Sequence, residues 1–99
     1  MLKLLLTPKA EIDLTEIYEY TFNTWGLNQA EKYQDELFDS MTDILSNPQI
    51  GSLYYHKEGN YRKLNKNRHL IFYRISEKGC LVIRILHERM DLKTNFSNT

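Results

Sequence analysis

Two runs rich in β-branched and aromatic residues, RHLIFYRIS (Arg68–Ser76) and CLVIRILH (Cys80–His87), stand on either side of Glu77-Lys78-Gly79. That pattern predicts two antiparallel strands joined by a tight turn. A lone hairpin is not stable in water, so at least one face must be covered by other parts of the chain. What precedes it supplies the cover. Ala10, Leu14, Ile17, Tyr18 and Thr21 fall on one face of a helix, and Ala30, Tyr33, Leu37, Met41, Ile44 and Leu45 on one face of a second.

The helix ends are also marked. Thr7 is expected to cap the first helix, with Pro8 at its first position, where a missing N–H costs nothing. Gly26 breaks the pattern within a Trp25-Gly26-Leu27 turn, and Asn28 with Glu31 reads as a capping box for the second helix. Asn47-Pro48 ends it. Leu2–Thr7 reads as a first strand and Tyr61–Asn65 as a weak one. The predicted order is β-α-α-β-β-β, an α+β domain with an antiparallel helical hairpin on one face of a small, mostly antiparallel sheet. Ninety-nine residues are one domain, 1–99. The polar tail 93–99 is expected to fray.

Alternation assigns faces. Leu81, Ile83 and Ile85 share one side with His87, and Ile71, Tyr73 and Ile75 form the matching side of the other strand; these should meet the helices. Arg74 and Arg84 then share the opposite side with Leu70, Phe72, Val82 and Leu86, expected to be only partly covered and to want a partner. The bland reading is that the arginine stems lie over apolar neighbours.

The net charge of +0 conceals a division. Residues 1–50 carry three lysines against nine acids, a net −6, and residues 51–99 ten cations against four acids, a net +6. Such asymmetry suggests one solvated face and another for an anionic or acidic partner. The acids of the first helix, Asp13 among them, read as a solvated face. The only cysteine, Cys80, excludes an internal disulfide and fits a reducing cytoplasm. No run approaches the roughly 18 apolar residues of a membrane span, and the start lacks the features of a signal peptide.

The spacing of His56, His69 and His87 matches no metal motif, no phosphate loop is present, and no cofactor is expected. The residues that could do acid–base work are Glu58, Arg62, Arg68, His69, His87 and Arg89, a set able in principle to cleave RNA without metal. A basic half with scattered tyrosines is also what plain nucleic-acid contact needs.

Tyr20-Thr21, Trp25-Gly26 and Gln29-Ala30, then His69 through Arg74, then Leu86-His87 with Arg89-Met90-Asp91, resemble in order and spacing the ParE toxins of the RelE/ParE superfamily. The likeness runs from about Pro8 to Asp91. One departure is Leu64-Asn65-Lys66-Asn67, where such sequences often carry proline or glycine. The resemblance implies a toxin of a type II toxin–antitoxin system, cytoplasmic, that poisons DNA gyrase by trapping its cleaved DNA complex and is not an enzyme. Arg89, Met90, Arg68 and His69 are the candidate gyrase contacts. The antitoxin, small and acidic or amphipathic in its binding segment, is expected on Arg74, Arg84, Phe72 and Leu86, in a hetero-oligomer that binds DNA through the antitoxin. His87 is expected to pack at the rim of the core. His69 and His87 are expected at different ends of the sheet. Two alternatives stay open. One is a ribosome-dependent mRNA endonuclease using His87, Arg62, Arg68 and His69. The other is a degenerate toxin that only binds its antitoxin.

Overall fold

A computed structural model describes residues 3–56 and 59–90. Its elements run β1 (Lys3–Leu6), α1 (Pro8–Trp25), α2 (Leu27–Ser46), β2 (Ser52–His56), β3 (Gly59–Lys66), β4 (His69–Ser76) and β5 (Gly79–His87). The strands form one sheet in the order β1-β5-β4-β3-β2, antiparallel except that β1 runs parallel to β5. The expected α+β architecture, a helical hairpin on a mostly antiparallel sheet, is what the chain adopts. One strand was missed. β2 pairs along β3 at the sheet edge, and its SLYYH sequence has no apolar alternation because an edge strand needs none.

Local chemistry fixes the helix starts. Thr7 accepts the backbone N–H of Ala10 at 3.1 Å and donates its hydroxyl to the Ile83 carbonyl at 2.7 Å, so one side chain caps α1 and ties it to β5. The capping box is not formed. α2 begins at Leu27 behind Gly26, with no side-chain cap, so Asn28 lies inside the helix. The expected three-residue turn shrinks to Gly26 alone, which holds φ +93° and ψ 176°, a conformation side chains resist.

The main core lies between helices and sheet: Ala10, Leu37, Met41, Ile44, Ile71, Tyr73, Cys80, Val82 and Ile85. Cys80 is fully buried, and burial pushes its thiol up to about 11, a small core residue without nucleophilic character. A second cluster, Tyr61, Phe72, Ile83 and Leu86, lies on the sheet face away from the helices.

This division corrects the face assignment. Phe72 pairs with Arg84 but Tyr73 pairs with Val82, so Ile83 is an extra residue and the alternation of β5 slips there. Cys80 and Val82, not Leu81 and Ile83, meet the helices, while Ile85 does so beyond the slip. Arg84 leaves the company of Arg74. Its guanidinium meets Asp13 of α1 through Nε at 2.8 Å and a second nitrogen at 3.0 Å. Asp13, expected in water, is buried and also accepts the backbone N–H of Ile85 at 2.9 Å. The reason is topological: β1 stops at Leu6, paired with Val82, and beyond that point the carboxylate takes the hydrogen-bonding place of a neighbouring strand.

Candidate functional site

Where the helical hairpin rises away from the sheet, an open cleft of about 1090 Å³ remains. α1 supplies Asp13, Glu16, Ile17, Tyr20, Thr21 and Trp25; the sheet side supplies Asn67, Arg68, His69, Ile85, His87, Arg89 and Met90. Gln29 and Tyr33 of α2 close the remaining wall. Asp13 and Thr21 are buried and Ile17 half-buried, while Glu16, Tyr20 and Trp25, a step round the helix, are exposed, so the cleft wall runs from the core out into solvent. Trp25 and Tyr20 keep 71% and 69% of their surface exposed, and Met90 45%. Large apolar side chains left this open at a concave site are what a protein partner uses as anchors.

The cleft floor is a pair of imidazoles. His69 and His87 are direct cross-strand partners, with ring centroids 5.3 Å apart in an edge-to-face arrangement. They do not lie at different ends of the sheet: the start of one strand in a hairpin meets the end of the next. The Tyr33 hydroxyl is hydrogen-bonded to His69 Nδ1 at 2.6 Å and reaches the Lys66 carbonyl at 3.3 Å. Burial, and then the neighbouring His87, pull the His69 imidazole down to about 4, against the weaker opposing pull of Glu88 and Asp13. His69 is therefore neutral at physiological pH. His87 Nδ1 accepts the backbone N–H of Arg89 at 3.1 Å, so the ring holds a tight turn in place and sits at the rim of the core.

That turn carries the outer residues. The N–H of Glu88 continues the ladder to the Arg68 carbonyl at 2.8 Å, and the N–H of Met90 then closes back on the His87 carbonyl at 2.9 Å. Arg89 and Met90 are thus held beside the cleft by backbone bonds. Arg68 sits in the two-residue turn between β3 and β4, not at a strand start. Asn67 holds φ +56° there, a conformation that asparagine tolerates better than most side chains; it does the work a glycine would do.

Arg68, His69, Arg89 and Met90 therefore share one cleft, together with His87. Arg62 does not. It lies four residues along β3 from the Lys66 that pairs with His69, and it donates to the Gly51 carbonyl at 2.7 Å. The residues expected to take the antitoxin fare differently. Phe72 and Leu86 are fully buried, and the Arg84 side chain is 14% exposed in its pair with Asp13. Arg74 is exposed, its guanidinium 5.8 Å above the Tyr61 ring. Glu58 and the tail 93–99 lie outside the described residues. Among the described residues no group of three or more metal-ligating side chains exists. In the sequence Tyr33 is marked only as a helix-stripe residue, because its partner His69 is 36 positions away. Trp25 and Tyr20 were visible as motif residues, but nothing marked them as exposed.

Residues 4–92 match the family described as the ParE toxin of the type II toxin–antitoxin system parDE. Toxin ParE1 of Mycobacterium tuberculosis is 40% identical over 92 residues, covering 92% of this chain and 94% of that protein. The chain belongs to the ParE toxin family. Toxin ParE1 of Caulobacter vibrioides is 30% identical over 90 residues, covering 91% of this chain and 93% of that one. A chain from the structure of the chromosomal ParDE TA system from P. aeruginosa superposes with a TM-score of 0.76 at 22% identity, over 88% of this chain and 96% of that one. The fold is thus shared with that system. It is a ParE toxin of a type II toxin–antitoxin system, and Tyr20, Thr21, Trp25, Gln29, His69, His87, Arg89 and Met90, on which the sequence resemblance rested, line one cleft. No helix among the described residues is long and apolar enough to cross a membrane.

Proposed function

We propose that this ParE toxin acts in the cytoplasm as a non-enzymatic poison of DNA gyrase, docking through the cleft and trapping the cleaved DNA complex. The observation that carries this is the convergence of Arg68, His69, Arg89 and Met90 with exposed Trp25 and Tyr20 on one concave surface. Trp, Tyr and Arg are the residues that dominate protein–protein binding energy, and here they surround an open groove. Trp25 and Met90 serve as apolar anchors; Arg68 and Arg89 add charge contacts. A cognate antitoxin neutralises the toxin by laying an amphipathic segment in the same cleft, and the hetero-oligomer binds DNA through the antitoxin.

The test is a supercoiling assay with purified toxin, gyrase, relaxed and supercoiled plasmid, and ATP. The expected result is loss of supercoiling with accumulation of linear, protein-linked DNA. Arg89→Glu together with Met90→Ala should weaken it by about tenfold or more, the equivalent of roughly 1.4 kcal/mol of binding. No effect at micromolar toxin, with growth inhibition intact in cells, overturns the mechanism.

A second reading, metal-independent RNA cleavage on the ribosome, is favoured by the 5.3 Å approach of His69 and His87 beside Arg68 and Arg89. Two features oppose it. An imidazole held at about 4 is a weak base at neutral pH. Arg62, one of the cations it was to use, is committed to the Gly51 carbonyl outside the cleft. Cleavage of mRNA on translating ribosomes that is lost in His87→Ala would establish it instead.

A further inference from the structure

The charge division of the sequence becomes a division between layers. The nine acids of the first half all lie in α1 and α2. The five strands contain Lys3, Arg62, Lys63, Lys66, Arg74 and Arg84, and not one aspartate or glutamate. Alternation puts three of these cations on the outer face, the one away from the helices. Lys63 and Arg74 share the parity of Tyr61 and Phe72, and Lys3 is opposite in parity to Leu4 and Leu6, which pack in the main core.

The outer face is also aromatic. Tyr54 and Tyr61 are cross-strand partners, Arg74 pairs with Leu81 beyond them, and Leu81 with Leu5. Lys63 stands 5.5 Å above the Tyr54 ring and Arg74 5.8 Å above Tyr61. Neither cation has a carboxylate partner among the described residues. Register places Lys63, Arg74 and Lys3 on a diagonal. From strand spacing and rise, their Cα steps are about 8 and about 12 Å.

What such a face can hold follows from what it lacks. A peptide helix or strand that docks on a sheet face needs apolar anchors. Here Phe72 and Leu86 are fully buried and Ile83 is 8% exposed; among the described residues only Leu5, at the edge, is an exposed large apolar side chain of this face. A polyanion needs only unopposed cations and planar rings. We propose that the outer sheet face binds a single-stranded nucleic acid, its phosphates running along Lys63, Arg74 and Lys3 and a base laid against the Tyr54–Lys63 edge. The site is separate from the cleft and does not depend on the gyrase reading.

The test is fluorescence anisotropy of the whole toxin with a labelled 12-nucleotide oligothymidine, at 50 and 200 mM salt. With three phosphates neutralised, log affinity should fall against log salt with a slope of about −2. Lys63→Gln with Arg74→Gln should weaken binding by about tenfold or more at low salt, while Arg74→Lys, which keeps the charge, retains most of it. Thermal melting shows whether each variant is folded. Trp25→Ala, in the cleft, should bind the oligonucleotide as the parent does. No binding at 100 μM toxin and 50 mM salt overturns the proposal, and so does binding unaffected by the double glutamine variant in folded protein. A polyglutamate peptide that competes at equal charge overturns it in favour of an acidic protein segment. A duplex that binds more tightly than the single strand overturns the choice of strand.

Discussion

The two faces of this sheet solve the same problem by different means. Under the helices, Ile71, Tyr73, Val82 and Ile85 are buried by a second layer of structure. On the outer face no helix among the described residues covers Phe72 and Leu86, yet both are as fully buried. Among the described residues their cover is their own neighbours: Tyr54 meets Phe72 edge-on at 5.2 Å, and the charged ends of Lys63 and Arg74 lie over the Tyr54 and Tyr61 rings. The contrast is reversed in availability. The covered side opens into the cleft with bare Trp25, whereas the uncovered side is sealed against apolar partners. Being layered and being accessible are therefore separate properties, and the sites must be sought by exposure rather than by topology.

The largest expected effect tests whether the outer cluster is a true core. Phe72→Ala should lower stability by about 3–4 kcal/mol in urea denaturation, comparable with Leu37→Ala under the helices. A loss under about 1 kcal/mol would mean that the outer side chains merely rest on the sheet.

Next comes the junction between the two sides. Asp13→Ala strips Arg84 of its partner and leaves the Ile85 N–H unsatisfied, at a cost of about 3 kcal/mol. If Asp13→Ala unfolds at the parent's urea midpoint, the carboxylate does not substitute for the missing strand.

His69 links the cleft to pH. The folded protein holds it down near 4, while the unfolded chain returns it to about 6.5. Above 6.5 both states carry it neutral and the native state is at full strength. As pH falls from 6.5 towards 4 the unfolded chain takes the proton first, so stability is lost through that window, by about 2–3 kcal/mol, and levels below it. Subtracting the urea-melt profile of His69→Gln from that of the parent isolates this group from the carboxylates. Parallel profiles would show that the imidazole titrates normally.

The smallest expected effect is the most telling for function. Trp25→Ala should change stability by no more than about 0.5 kcal/mol, because the ring is mostly in water, while gyrase poisoning falls. A large loss of stability would move Trp25 from the binding surface into the structure.

Much of this was legible in the residues. Helix stripes, the Gly26 break, the Thr7-Pro8 start and the strong hairpin are local signals, and local signals survive folding. The hairpin turn at Glu77-Lys78-Gly79 already brings His69 and His87 to one end of the sheet: counting outward puts His69 opposite Leu86, and the extra residue in β5 moves its partner on by one to His87. Other features were not readable. Alternation cannot announce the extra residue at Ile83, and a single parity cannot hold on both sides of a bulge: Ile85 and Leu86 lie on the faces assigned to them, Leu81, Val82 and Ile83 on the opposite ones. That is how Arg84 was sent to the wrong neighbours. Asp13 resembled its water-facing companions because its partner is 71 positions away. Tyr33 joined the cleft for the same reason, by a contact no spacing encodes.

β1 lies parallel to β5, with Lys3 beside Gly79 and Leu6 beside Val82. The earliest described residues of the chain thus wait for the last strand before their sheet position exists. At 5–20 residues per second, the interval between making them is roughly 4–15 s on the ribosome. The His87–Met90 turn that completes the cleft is made later still. Both helices are therefore synthesised well before the cleft they border can be completed, and a nascent chain offers that surface only in part until the turn has been made.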